Sequence, residues 1–253
     1  MENQNLRFPG QSLDEKLHEI LFEKIFIYAV SIMVVFLVVS QEWIRFFFNT
    51  IPHPIPITIL GVFGVTFCIF KIRKNIYLAR NIRQGRDGER EVGQKLEDLR
   101  SNGCVVFHDI LGPSFNLDHV VVSPHGIFTV ETKNYSRKNA NTKIEFIEGQ
   151  VVVNGKHPDR DMIVQSLAQA TWLRNILKES TGKEFNVKSV IVFPGWFVDP
   201  ESQKRAQKEK NVWLLNPTAL PSYINNELVI LNDQDLHLIS YHLARHIRTT
   251  IAE

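Results

Sequence analysis

Cysteine is nearly absent. Cys68 lies in an apolar run and Cys104 in a predicted strand. They are too few and too unlike in setting for a disulfide framework or a zinc site, and a reducing compartment suits the soluble part. No stretch carries a P-loop, a GxGxxG turn, or a serine or cysteine nucleophile elbow, which removes the phosphate-cradle, dinucleotide and acyl-enzyme chemistries. His108, His125 and His157 lack the spacing of metal ligands. There is no internal repeat and no low-complexity segment. A strong charge of one sign is also missing. The formal net charge is +2; residues 71–86 hold six Lys or Arg and no acid, whereas from Asp87 onward 19 basic residues face 21 acidic ones. Nucleic-acid binders commonly show a basic excess on one face. The soluble region has none, which counts against tight, non-specific DNA binding.

Apolar residues are plentiful but unevenly placed. Hydrophobic residues make up 44% of the 253 and pile up before residue 71. A polar N-terminal tail leads into an amphipathic segment with Leu13, Leu17, Ile20, Leu21 and Ile25 at helical spacing. Ile25 to Gln41 then runs 17 residues without a charge, and Phe46 to Phe70 runs 25. About 20 apolar residues span the hydrocarbon of a bilayer. The acid-bearing N-terminal segment and the lack of a small-residue cleavage site argue against a signal peptide. Trp43, Arg45 and the proline-rich IPHPIP between the runs suit an interface and a turn, so a transmembrane hairpin over 25–70 is expected. The basic run at 71–86 places both termini in the cytoplasm and offers anionic lipid a partner. The expected order is therefore a cytoplasmic amphipathic segment (1–24), the hairpin, a basic linker (71–86) and a soluble α/β domain (87–253).

Within the soluble part, Gly88 to Arg100 reads as a helix with Val92, Leu96 and Leu99 on one face. At 100° per residue Glu89 falls nearest the buried side, while Glu91 turns away as an ordinary first-turn acid. A strand over Cys104–Ile110, a hairpin pairing Lys143–Ile147 with Val151–Val153, a helix over Met162–Lys178, a buried strand over Val187–Phe193, a charged loop over Gln203–Lys210, a short strand over Val212–Leu215 and a final helix capped by Asn232 follow.

The stretch NLDHVVVSPHGIFTVETKNY, Asn116–Tyr135, organises the rest. Two β-rich runs flank Ser-Pro-His-Gly, a turn whose Pro presets φ and whose Gly tolerates φ > 0. If Pro124 and His125 are the two central turn residues, Asp118 lies directly across from Glu131. If Gly126 forms a bulge in a three-residue loop, Asp118 turns toward Thr132 instead. Lys133 projects on the side of Glu131. Directly opposed like charges repel, so a hairpin built for stability alone would avoid the first arrangement. A divalent cation supplies a reason for it. A Glu-x-Lys on a strand is otherwise a solvated pair contributing less than about 1 kcal/mol.

Carboxylate-bound Mg²⁺ or Mn²⁺ can activate a water and stabilise charge on a reacting group. Asp118 and Glu131 are oxygen ligands of the required kind, the Thr132 carbonyl can add another, and Lys133 can act on the water and the developing charge. Gly88-Glu89-Arg90-Glu91-Val92-Gly93, then Asp118 on its strand, Glu131-Thr132-Lys133, and helical Gln165, form an ordered set. Together they resemble the nuclease-related domain (NERD) of the PD-(D/E)xK nuclease superfamily over roughly Gly85 to Phe193. One departure is Leu117 where the family commonly has proline before the Asp. The resemblance implies a restriction-endonuclease-like α/β core of helix, three-stranded meander, helix and strand, here preceded by two transmembrane helices. It also implies that Glu89 completes or orients the metal shell and that the Gln165 amide positions water or phosphate. His119, beside Asp118, points to the opposite strand face and reads as structural. The expected function is a membrane-anchored, Mg²⁺-dependent nuclease cutting DNA. The alternative is an inactive nuclease-fold module that binds nucleic acid or a protein partner at the membrane.

Overall fold

The structure is a computed structural model that describes residues 7–48, 53–136 and 143–252, with side chains through residue 250. Two compact units emerge: Ser12–Gln84, and the N-terminal residues up to Gln11 together with Gly85–Glu253.

In the first unit α1 (Gln11–His18) passes through a π-helical stretch (Glu19–Ile25) into α2 (Phe26–Phe47). The second helix, α3, spans Pro54–Glu97. The linker expected at 71–86 and the helix expected from Gly88 are thus one helix. The reason is local: no proline stands between Pro56 and Pro113, and interior glycines cost only about 1 kcal/mol each without breaking the hydrogen-bond ladder. Within the unit α2 and α3 lie antiparallel, since Tyr28 meets Phe67 edge-on and Trp43 Nε1 donates to Thr58 Oγ1 at 3.0 Å. At Gly61 an added Cβ would stand 2.9 Å from Val39 Cγ2, so this glycine allows a close backbone approach. Leu17, Ile20 and Ala79 bury one another further along. The helical segments Gln11–Phe47 and Pro54–Asn102 are long and apolar enough to cross a membrane. Residues 49–52 of the expected turn lie outside the described residues.

The second unit is built on a five-stranded mixed sheet in the order β1-β2-β3-β6-β8. β1 (Val105–Leu111), β2 (Asn116–Ser123) and β3 (Gly126–Thr132) form an antiparallel meander, and β6 (Val187–Val192) and β8 (Val212–Leu215) add parallel to β3. A smaller sheet contains β4 (Lys143–Ile147), β5 (Gln150–Val153) and β7 (Phe197–Val198), the last a two-residue strand not expected from sequence. Side-chain alternation divides the main sheet into two apolar faces. On one, Val121, Phe128 and Val130 meet Val92 and Leu96 of α3 and Leu99 of the 3-10 turn that follows it, Asp98–Asn102. On the other, Val120, Val122 and Ile127 meet Ala170, Leu173 and Leu177 of α4 (Met162–Thr181). Ile239, Leu243 and Ile247 of the last helix, Asp233–Ala252, complete this second layer.

Two expectations change. Gln203–Lys210 is not a loop but part of α5 (Pro200–Lys210), because Asp199 caps it by accepting from Ser202 N at 2.9 Å and Pro200 sits at its first position. Its buried side is Ser202, Gln203 and Ala206, too polar to show as an apolar stripe. A further short helix, α6 (Leu220–Asn225), precedes α7, the Asp233–Ala252 helix. Arg7 and Pro9, in the described part of the expected polar tail, also pack against this unit. Arg7 places Nε and Nη2 2.9 and 2.8 Å from Asp109 Oδ2, with both side chains buried. Pro9 lies against α3 at Gly93, where an added Cβ would come within 2.3 Å of its Cγ.

Candidate active site

The β2–β3 register decides what the site can be. His119 pairs with Val130 and Ser123 with Gly126, leaving Pro124 and His125 as the two central turn residues. This excludes the bulged alternative and carries Asp118 to the position opposite Glu131. Asp118 Oδ2 accepts from the Thr132 backbone N–H at 2.7 Å, which fixes the end of the hairpin. Lys133 Nζ lies 2.6 Å from Glu131 Oε1. Its own N–H donates to Val192 O of β6 at 2.9 Å, so the lysine is held beyond the end of β3.

Helix α4 covers this patch. Asp161 caps it, accepting from Ile163 N and Val164 N, which sets the first turn against β3. Gln165 Nε2 donates to Glu131 Oε1 at 2.8 Å while its Oε1 accepts from Lys133 Nζ at 3.2 Å. One turn later Gln169, unexpected from sequence, donates from Nε2 to Glu131 Oε2 at 2.6 Å and to Asn116 O at 3.1 Å. Residues four apart share a helix face, and that spacing from Gln165 was the available signal. Both oxygens of Glu131 are therefore held by side-chain donors.

Glu89 reaches the same patch from α3. It is buried, and its charge is felt at Asp118. Gly88 makes that approach possible: a Cβ there would lie 2.5 Å from Asn134 Cβ, so any other residue would push the helix away from the end of β3. Glu91 stays on the exposed side, paired with Lys95 at 3.0 Å. The structure thus brings Glu89, Asp118, Glu131, Lys133 and Gln165 together and leaves Glu91 out.

Burial first, then the charges of Glu131 and Glu89, push the Asp118 carboxyl well above the usual aspartate range. Burial works against the Lys133 ammonium, but the adjacent Glu131 carboxylate and then Asp118 outweigh it and raise its pKa. Lys133 is accordingly a cation and hydrogen-bond donor at neutral pH, not a free amine. On the other side of the sheet His119 meets His108, Nδ1 to Nδ1 at 2.8 Å, and His108 Nε2 lies 2.7 Å from Glu97 Oε1. Burial lowers the pKa of both histidines. They form a buried polar cluster between β1, β2 and α3, away from the acids.

Glu131 and Glu89 set their charges beside Asp118, whose Oδ1 accepts no hydrogen bond from the described residues. That donor set suits a hard divalent cation. Among the described residues, no three His, Cys, Asp or Glu side chains enclose an ion-sized space as they stand. Glu131 Oε1 instead accepts from Lys133 and Gln165.

A mixed α/β unit with two carboxylates and a lysine converging at the ends of adjacent central strands has the organisation of a nuclease-like domain. Residues 84–194 match the family model described as the nuclease-related domain, NERD, a span that holds all five of these residues. No curated protein matches the chain, and no solved structure does.

Proposed function

We propose that the 85–253 unit is a metal-dependent phosphodiesterase acting on nucleic acid, with DNA as the substrate, and that the α2–α3 hairpin anchors it in the cell membrane with this unit in the cytoplasm. The observation that carries the reading is the convergence of Asp118, Glu131 and Lys133 under Gln165 in one partly buried patch. A structural role alone gives no reason to set two acids opposite each other and a third beside them.

Asp118, Glu131 and the Thr132 carbonyl would hold Mg²⁺ or Mn²⁺, with Glu89 orienting the shell. Bound there, the ion supplies an activated water and neutralises phosphate charge. The remaining work belongs to the chain. Lys133, kept protonated by Glu131, presents N–H donors where charge grows on the phosphate oxygens. Gln165 ties Lys133 to Glu131, so the two move as one element. Gln169 fixes the plane of the Glu131 carboxylate through its second oxygen. The absence of any buried residue in α2 supports the membrane reading, because a soluble protein rarely leaves so continuous an apolar surface exposed.

The saturation of Glu131 by Lys133, Gln165 and Gln169 favours a second reading, an inactive module that uses this surface to bind nucleic acid or a protein partner. Purified full-length protein in detergent, incubated with supercoiled plasmid, separates the two. Nicking that requires Mg²⁺ or Mn²⁺ supports the enzyme. Retention of nucleic acid with no nicking in either metal supports the module.

A further inference from the structure

Beside the acids lies an open cleft of about 460 Å³ whose wall is shared with the site, since Lys133 and Gln165 line both. Its other walls are chemically mixed. Tyr135 and Met162 provide an apolar surface, and the tyrosine ring is fixed in place: its hydroxyl donates to Met162 Sδ at 3.5 Å, its carbonyl accepts from Trp196 Nε1 at 3.1 Å, and its ring stands edge-on to Trp196. His157 and Arg160 bring nitrogen donors to the same cleft from the segment between β5 and α4, with Asp159 between them. A held aromatic face, a guanidinium and a catalytic lysine along one cleft are the parts that recognise a nucleotide: a surface for the base and a fork for its phosphate.

We infer that this cleft seats one unstacked nucleotide adjoining the scissile phosphate, its base against Tyr135 and its phosphate on Arg160, so that the preferred substrate is single-stranded nucleic acid. The inference rests on the phosphodiesterase reading and deepens it. Size is the deciding consideration. The volume is that of one nucleotide, within the ordinary range of small-ligand pockets, and a base can lie against the Tyr135 ring only when it is out of its own stack and pair. A strand must therefore be single, or splayed at an end, to bring a phosphate from this direction to Lys133. Stacking also tolerates any base, and it makes up for the missing basic excess by using contact in place of long-range charge.

The test uses full-length protein in detergent with chelator, so that no strand is consumed, and reads fluorescence anisotropy of a labelled single strand and of its blunt duplex. The single strand should bind about tenfold or more tighter than the duplex. Tyr135→Leu and Arg160→Ala should each weaken single-strand binding by roughly tenfold while leaving the melting temperature unchanged for Arg160→Ala, whose side chain is exposed. Equal binding of strand and duplex, or an unchanged single-strand affinity in Arg160→Ala, overturns the inference and leaves the phosphodiesterase reading standing if plasmid is still nicked. If wild-type protein neither binds nor cuts either form, the phosphodiesterase reading fails and the inference with it.

Discussion

Removing the Arg7 guanidinium should unfold the 85–253 unit at a markedly lower temperature, although Arg7 lies far outside that stretch of sequence. Its side chain and that of Asp109 are only 5% and 3% exposed, and the pair makes two contacts under 3 Å. Deleting Arg7 takes from the buried Asp109 carboxylate its charged partner, and breaking a buried pair in this way costs about 3–5 kcal/mol. For a domain of this size each kcal/mol moves the melting temperature by roughly 2–4 °C, so Arg7→Ala should melt roughly 6–20 °C lower. Tryptophan fluorescence reports this directly, because Trp172, Trp196 and Trp213 lie in the unit. The control is a charge-free pair. Asp109 has φ 49°, so its replacement must tolerate the left-handed region, as Asn does. Arg7→Met with Asp109→Asn should recover most of the loss. A single variant that melts within 2 °C of wild type, or a double variant no better than the single, would refute the argument that the N-terminal residues are part of this unit's core.

Further outcomes follow from the site and the hairpin. In chelator, Asp118→Asn should melt higher than wild type near pH 7. The sign follows from a folded-state pKa raised above the unfolded value, which stabilises below the ordinary aspartate range of about 4 and withdraws that stability as pH rises through the raised pKa. The gap should close toward pH 4; a gap that widens on acidification would contradict the burial and repulsion assigned to Asp118. Gln169→Leu removes a hydrogen-bond donor from the buried Glu131 carboxyl group, so the unit should lose about 1–3 kcal/mol and the cleavage rate should fall with little change in the apparent Kd for substrate. Unaltered melting and rate together would make Gln169 a bystander. A reporter fused after Glu253 should be active only on the cytoplasmic side, and labelling of the C-terminus from outside the cell would reverse the assigned topology.

The parts of the site that sequence disclosed are those governed by short-range rules. Ser-Pro-His-Gly marks a turn but leaves its register open between a two-residue turn and a bulged loop; with the two-residue turn that the structure has, the period of the strands carries Asp118 to Glu131 and Lys133 to the same side. Helical angle alone separated Glu89 from Glu91. What escaped notice depends on tertiary context. Gln169 is a polar residue on a helix whose neighbours Ile163, Ala170 and Leu173 are apolar, and nothing local says that it reaches a carboxylate and not solvent. Arg7 sits in a polar stretch whose partner is 102 residues away. The α5 segment was obscured by its charge, though Asp199-Pro200 is a start signal in plain view. The unbroken course of α3 is hidden by a change in composition at residue 71 that mimics a boundary, while the backbone meets no breaker there.

On the proposed mechanism Lys133 acts on the reacting phosphate while the carboxylates would hold the metal, and single-turnover cleavage by Lys133→Ala, with metal binding followed in the same preparation, separates the two roles. Metal-induced stabilisation should persist, because Asp118, Glu131 and the Thr132 carbonyl remain. The cleavage rate should fall about 10²-fold or more, the scale of losing one group that stabilises transition-state charge. A variant that cleaves within about threefold of wild type, or one that loses rate only because metal no longer stabilises it, would contradict the account.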